Sequence, residues 1–179
     1  MQRSLKLDVA LPTRVPPRTM TKIIEERSVW LPDAESTIAA GERLATGLAG
    51  GMIVTLSGEL GSGKTTLVRG MLRGLGWTRS VKSPTYALVE HYSFSSLYFY
   101  HFDFYRFGDS DEWDSSGFSE YFHPGAICVI EWPERVAANL PWVDLALSLQ
   151  PSGAGRALRL AAWTLAGSAC LAAFGPVSR

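Results

Sequence analysis

The sequence predicts a single α/β domain in which helices flank a mixed central sheet, and three observations favour this class. A short apolar run, residues 52–56, leads through a glycine-rich segment into a pattern typical of a helix. A second continuous apolar run, residues 126–130, is typical of a strand buried on both faces. Aromatic runs on either side of residues 93–96 predict a hairpin. The 179 residues suffice for one domain with a full core.

The first segment of the chain differs in composition from the rest. Residues 1–22 are rich in Lys, Arg and Pro, and we interpret them as a flexible basic tail before a domain of residues 23–179. Met20 stands just before the first predicted strand, residues 23–30. This position raises the hypothesis that translation starts at Met20 and that the tail is not made.

The remaining elements follow from periodicity and turn residues. Asp33 is the expected N-cap of a helix over residues 34–48. The apolar run is predicted as a strand over residues 52–56, followed by a loop and a helix over residues 64–75. Downstream, the sequence predicts a hairpin from residues 86–92 and 97–104, an acidic helix or loop over 109–121, a strand at 126–130, and a second hairpin from 143–149 and 156–163.

Charge is balanced over the whole chain but not along it. Between residues 83 and 134, one basic residue, Arg106, stands against nine acidic ones. Nucleic acids are held by Lys and Arg side chains that neutralise phosphates. This middle section is therefore a poor surface for RNA or DNA and a better one for a protein partner.

Cysteine usage and hydropathy bear on the compartment. Cys128 and Cys170 offer no disulfide framework, and Cys128 lies in an apolar run where a buried thiol is expected. The most apolar long window, residues 157–174, contains Arg159 and is rich in Ala rather than Leu, so we reject it as a membrane span. We expect a cytoplasmic protein without a membrane partner.

The strongest functional signal is the spacing Gly58-x-x-x-x-Gly63-Lys64-Thr65 between a predicted strand and a predicted helix. It is that of a phosphate-binding P-loop, in which backbone N–H groups at a helix N-terminus converge on phosphate oxygens. Lys64 would bring a positive charge to the β- and γ-phosphates, and Thr65 a hydroxyl to Mg²⁺. The residues predicted to hold the nucleotide are Leu60, Gly61, Ser62, Gly63, Lys64, Thr65 and Thr66.

A magnesium ion at Thr65 also needs a carboxylate, usually at the end of a neighbouring buried strand. We assign Glu131, which ends the apolar run 126–130; the alternative is a carboxylate that caps a short helix at Pro133. Asp103 shares a strand face with His101 and becomes a second acid near the γ-phosphate or the attacking water. Its alternative is an ion pair with Arg106.

A loop after the P-loop helix and one missing motif complete the candidate site. Ser83 and Thr85 flank Pro84 where other P-loop proteins carry a mobile loop that senses the γ-phosphate, although a plain turn fits as well. Guanine-specific enzymes of this class usually carry Asn-Lys-x-Asp, and the only Asn here, Asn139, lacks that context. ATP with Mg²⁺ is therefore the predicted ligand. We interpret Asp114-Ser115-Ser116-Gly117 as a chance match to a GTPase motif, because no apolar strand precedes it.

Four stretches together resemble the TsaE (YjeE) family in order and spacing. They are Gly58-Glu59-Leu60-Gly61-Ser62-Gly63-Lys64-Thr65-Thr66, Val81-Lys82-Ser83-Pro84-Thr85-Tyr86, His101-Phe102-Asp103-Phe104-Tyr105-Arg106 and Glu131-Trp132-Pro133. The resemblance covers about residues 23–150. The extension before Met20 and the Ala-rich end from Ala157 depart from the family pattern, which leaves any nucleotide contact from Arg156 open.

This resemblance implies a bacterial ATPase needed to make threonylcarbamoyladenosine, a modified base of tRNA. In that family a partner, TsaD, paired with TsaB, catalyses the transfer, and the ATPase docks on the pair and meets tRNA only indirectly. By the same resemblance, Thr65 and Glu131 match the metal ligands and Asp103 matches an acid important for ATP hydrolysis, with Lys64 as the other predicted catalytic residue. The segment with Ser83 and Thr85 matches a switch-like loop.

Two other functions remain open from the sequence. A small-molecule kinase of this size would clamp the transferring phosphoryl group, commonly with several Arg or Lys from a lid. Between residues 83 and 134 the chain offers only Arg106 for that purpose. A binding module that hydrolyses ATP too slowly to matter is the third interpretation.

Overall fold

A computed structural model describes residues 22–108, 113 and 115–176, which contain one seven-stranded sheet. The predicted tail lies outside the described residues except for Lys22. The strands are β1 Glu25–Leu31, β2 Ile53–Ser57, β3 Val89–Ser93, β4 Tyr98–Asp103, β5 Ala126–Glu131, β6 Leu145–Ser152 and β7 Gly155–Ala162. The α-helices are α1 Ala34–Ala45, α2 Lys64–Gly74 and α3 Leu165–Phe174, and two 3₁₀ helices span Phe118–Tyr121 and Pro133–Arg135.

The sheet is mixed, as predicted, with strand order β1-β7-β6-β2-β5-β4-β3. Its centre is parallel: β2 pairs with β5 and β6, and β4 pairs with β5. Both predicted hairpins are present, as β3–β4 and β6–β7, and β1 adds to β7 in antiparallel fashion. Because β2, β4 and β5 run parallel, their carboxyl ends meet at one edge of the sheet, where ligands of such sheets bind.

Element boundaries differ from the predictions by a few residues. The predicted start of the first hairpin at residue 86 is wrong, because Leu88 has a left-handed φ of 63° and its N–H donates to the carbonyl of Pro84. Residues 84–88 therefore form a turn, and β3 starts at Val89. The predicted N-cap is confirmed: Asp33 accepts from the N–H of Ser36 in a capping box.

The Ala-rich end of the chain forms a short helix, α3, whose N-cap Thr164 accepts from the N–H of Gly167. It is ten residues long and covers one edge of the core. No helix in the described ranges combines the length and the hydropathy needed to cross a bilayer.

Two hydrophobic clusters cover the two faces of the sheet. The helices α1, α2 and α3 pack on one face, and aromatic side chains from the segments that connect the strands cover the other. The helix-side cluster includes Leu44, Leu67, Met71 and Leu171 against Val54, Leu56 and Val129. The opposite cluster includes Phe104, Phe107, Trp113, Phe118 and Val136 against Phe102 and Ile130. Burial on both faces explains the continuous apolar runs of β2 and β5.

Asp144, a buried acid without any signal in the sequence, holds the start of β2. Asp144 is 5% exposed and accepts from the N–H of Ile53 at 2.9 Å, from Nε1 of Trp142 at 3.0 Å and from Oγ1 of Thr164 at 2.6 Å. Buried polar groups require such partners. Asp144 thereby links the start of β2 to the N-cap residue of α3.

Both cysteines are free and buried, as expected for Cys128. Burial raises the pKa of the Cys128 thiol to about 12 and that of Cys170 to about 11. Since the thiolate is the reactive form, neither cysteine is placed for chemistry at neutral pH.

Close contact between α1 and α2 depends on glycine. A Cβ added to Gly41 would lie 2.8 Å from the Cα of Gly70, and a Cβ added to Gly70 would lie 2.9 Å from the carbonyl carbon of Ile38. Only backbone atoms occupy that space, so no flexible side chain can move aside. The crossing therefore sets the position of the helix that follows the P-loop.

We expect Gly70→Ala to destabilise the protein by about 1–3 kcal/mol, because overpacking outweighs the helix propensity of Ala. Urea unfolding monitored by circular dichroism measures the change. Gly108→Ala is the matched control, since no atom would lie within 4 Å of its Cβ. A Gly70→Ala protein as stable as the parent would contradict the steric argument.

Candidate active site

The predicted site residues on two strands, β4 and β5, on the glycine-rich loop with the start of α2, and on the loop of Ser83 and Thr85 meet at one edge of the sheet. Glu131, at the end of β5, is in register with Leu56 of β2 and with Asp103 of β4. They open into a cleft of about 200 Å³ beside the glycine-rich loop. It is lined by Leu60, Gly61, Gly63, Lys64, Thr65, Thr66, Ser83, Thr85, Asp103, Tyr105, Glu131 and Trp132. Every predicted site residue except Ser62 lines this cleft.

The glycine-rich loop takes a path that side chains would obstruct. Gly61 and Gly63 have left-handed φ values of 77° and 104°, and a Cβ on Gly63 would collide with the guanidinium of Arg156. The hydroxyl of Ser62 is buried without a hydrogen-bond partner among the described residues. The glycines thus let the loop turn sharply into α2.

The start of α2 differs from the starts of the other two described α-helices. Side chains cap α1 and α3, at Asp33 and Thr164, but no side chain caps α2 at Gly63. The first N–H groups of a helix have no acceptor within the helix. At α2 they remain for an acceptor from outside, which is the arrangement that binds phosphate.

Lys64 places a buried positive charge inside the loop. Its side chain is 4% exposed, and Nζ donates to the carbonyl oxygens of Gly58 at 2.8 Å and Glu59 at 2.9 Å. Nζ also lies 4.3 Å from the centre of the Trp132 ring. Burial lowers the pKa of Lys64, while the nearby carboxylates, Glu131 first, act in the opposite direction. An ammonium has three N–H donors, so one remains for a ligand.

Thr65 and Glu131 meet directly at the start of α2. Oγ1 of Thr65 donates to Oε1 of Glu131 at 3.0 Å, and the same oxygen lies 2.9 Å from Nε2 of His101. The capping alternative for Glu131 is wrong, since Trp132 is the N-cap residue of the 3₁₀ helix at Pro133 and no side chain caps it.

A hydroxyl beside one carboxylate suits Mg²⁺, which is commonly bound through one or two carboxylates together with phosphate oxygens. The described residues contain no cluster of three or more His, Cys, Asp or Glu that could hold a metal by itself. The donor set therefore fits a metal that arrives with a phosphate ligand.

Asp103 is bound by the loop that the sequence singled out. Its Oδ2 accepts from Ser83 Oγ at 3.1 Å and from Thr85 Oγ1 at 2.5 Å, and its Oδ1 accepts from the N–H of Tyr105 at 3.0 Å. Within the described ranges Asp103 forms no ion pair with Arg106, whose guanidinium lies 4.7 Å from the Tyr86 ring. That alternative is wrong.

Sequence reasoning gave no role to Trp132 and left a nucleotide contact from Arg156 open, and the structure brings both residues beside the glycine-rich loop. Trp132 has a left-handed φ of 59° and reaches Lys64 from a position beyond the end of β5. Nη1 of Arg156, at the start of β7, lies 3.4 Å from the carbonyl of Ser62. The sequence places His101 on the same strand face as Asp103, but nothing in the residue spacing predicts its contact with Glu131. Asp114 lies outside the described residues.

Comparisons with known proteins agree with this architecture. The sequence model of the family described as "Threonylcarbamoyl adenosine biosynthesis protein TsaE" matches residues 31–158. The tRNA threonylcarbamoyladenosine biosynthesis protein TsaE of Haemophilus influenzae is 38% identical over 156 residues, covering 84% of this chain and 99% of the relative. The Bacillus subtilis protein of that name is 38% identical over 119 residues, covering 66% and 74%.

A solved structure supports the same assignment. The crystal structure of Bacillus subtilis YdiB is similar to this chain with a TM-score of 0.73 and 27% sequence identity. The similarity covers 86% of this chain and 97% of that one. The sequence match over most of the domain and the shared fold lead to one conclusion: the chain belongs to the TsaE family of threonylcarbamoyl adenosine biosynthesis proteins.

Proposed function

We propose that this protein binds ATP and Mg²⁺, hydrolyses ATP slowly, and is an accessory protein in the threonylcarbamoyladenosine modification of tRNA. It acts in the cytoplasm on a complex of TsaD and TsaB homologues and meets tRNA only through that complex. Relatives named for tRNA threonylcarbamoyladenosine biosynthesis support the pathway. The contact between Thr65 and Glu131 at the uncapped start of α2 supports the ATPase more than any other single observation.

The loop and α2 account for nucleotide binding. The N–H groups at the uncapped start of α2 would donate to phosphate oxygens, and Lys64 would add the positive charge that those oxygens attract. Thr65 and Glu131 are the ligands that would hold Mg²⁺. When bound there, Mg²⁺ would stabilise the negative charge that develops on the phosphates during hydrolysis.

Asp103 is the candidate for orienting the attacking water. It lies beside Glu131 in the sheet register and is 3% exposed. Both of its oxygens accept hydrogen bonds from Ser83, Thr85 and Tyr105. Its own chain thus takes three of the roughly four acceptor positions of the carboxylate, which leaves little room for water and supports slow turnover by the protein alone. A shift of the loop with Ser83 and Thr85 would release it.

Two features support a protein partner near this cleft. Leu60 and Tyr86, on the P-loop and on the loop after Thr85, are 73% and 85% exposed. Exposed large apolar side chains at a site rim suit burial by a partner. The acidic composition between residues 83 and 134 disfavours direct contact with tRNA.

ATP turnover with Mg²⁺, measured for the purified protein alone and with TsaD and TsaB homologues, tests the proposal. We expect slow hydrolysis that rises with the pair and falls by at least about 100-fold in Lys64→Ala, because a preorganised positive charge is lost. Turnover indifferent to the pair would overturn the accessory role. A screen of phosphoryl acceptors would then test the kinase alternative.

Glu131→Ala separates an ATPase from a slow binding module. We expect Mg²⁺-dependent turnover to fall by roughly 100-fold, because a bound metal stabilises the transition state by several kcal/mol. Glu134→Ala is the matched control, since Glu134 lies three residues away and is exposed. Survival of both turnover and partner regulation in Glu131→Ala would show that Glu131 is not the metal ligand.

Asp103→Asn tests the second acid. We expect kcat to fall by about 100-fold or more while KM for ATP changes little, because a group that positions the attacking water acts in the transition state. Steady-state kinetics provides the measurement. Glu90→Gln, on the neighbouring strand β3, is the control. If kcat/KM fell only because KM for ATP rose, with kcat unchanged, Asp103 would contribute to nucleotide binding rather than to catalysis.

A further inference from the structure

His101 is a buried imidazole whose polar contact is with the proposed metal carboxylate. It lies on β4 with 0% of its surface exposed, on the same sheet face as Asp103. Nε2 of His101 is 2.9 Å from Oε1 of Glu131. Nδ1 has no hydrogen-bond partner among the described residues. Among the described residues, the contact with Glu131 is thus the only hydrogen bond of the imidazole.

The chemistry of the Glu131 carboxylate shows which group donates in its contact with His101. An ionised carboxylate only accepts hydrogen bonds, so Nε2 must carry the proton. In the tautomer that carries its proton on Nε2, Nδ1 is an acceptor without a partner among the described residues. An unpaired polar atom in the core costs free energy that an apolar side chain would avoid. The role of the imidazole is therefore to be sought at Nε2, where it meets Glu131.

Glu131 is held at one oxygen and left open at the other. Oε1 accepts from both His101 and Thr65, which come from different elements, β4 and α2. Oε2 accepts no hydrogen bond from any residue in the described ranges, and Glu131 lines the cleft. Two donors on one oxygen restrict rotation of the carboxylate, and so fix the direction in which Oε2 points.

We propose that His101 is a positioning residue that orients the Glu131 carboxylate for Mg²⁺ through its Nε2–H. This inference rests on the proposed function, in which Glu131 is a metal ligand. Mg²⁺ demands near-ideal octahedral geometry, so its affinity depends strongly on the direction of each ligand. Partners that orient a ligand typically change metal affinity by about 10–100-fold when they are lost.

Binding of ADP by calorimetry, with Mg²⁺ and with a chelator in its place, tests the role without relying on turnover. His101→Met removes the donor, whereas His101→Gln has nearly the same shape as Met and keeps an N–H donor near the position of Nε2. We expect the Mg²⁺-dependent gain in ADP affinity to fall about 10–100-fold in His101→Met and to be largely restored in His101→Gln. ADP affinity in chelator should stay at the parent value in both.

Controls keep the outcomes distinct. His91→Met, at an exposed position on β3, should bind like the parent. If His101→Met does not fold, His101→Asn takes its place, because its shorter amide cannot reach Glu131. An equal Mg²⁺-dependent gain in the parent and the donor-free variant would overturn the inference, as would equal losses in the Gln and Met variants. A parent protein whose ADP affinity ignores Mg²⁺ would instead overturn the proposed metal site itself.

Discussion

The hydrogen bond from Thr65 to Glu131 joins the two parts of the fold on which the site depends. Thr65 is in the first turn of α2, and Glu131 ends β5, the parallel neighbour of β2. The bond requires the glycine-rich loop to turn sharply after β2, and it requires β5 to end in register with β2. A change in either the loop path or the sheet register would separate the two proposed metal ligands.

Contacts elsewhere in the fold hold Thr65 and Glu131 in position. Gly41 and Gly70 let α1 pack closely against α2, which fixes the helix that carries Thr65. Asp144 secures the start of β2 from the opposite end of the strand. The centre of the sheet between these contacts is fully buried, and close-packed interiors leave little room for adjustment. The positions of α2 and β2 therefore depend on each other. These contacts fix the backbone that carries the two proposed metal ligands.

The switch-like loop presents the contrasting case. Ser83 and Thr85 lie in a segment without regular structure and donate hydrogen bonds to Asp103 through their side chains. The segment ends at Leu88, whose φ is in the left-handed region. Such a loop has few backbone bonds to break when it moves. The closely packed phosphate site lies beside a loop whose two hydroxyls donate to Asp103. This combination suits the proposed ATPase, whose turnover would depend on a partner.

The sequence by itself determined the α/β class, both hairpins, the N-cap at Asp33, the glycine-rich turn between β2 and α2 and the two acids beside it, because local spacing and burial patterns encode them. Only the tertiary structure decided what lies between distant segments. His101 on Glu131, Trp132 on Lys64, Arg156 beside Ser62 and Asp144 under β2 all join residues whose neighbours along the chain carry no sign of the contact. Strand order and register create those contacts, and both arise from packing the whole sheet rather than from any one stretch of residues.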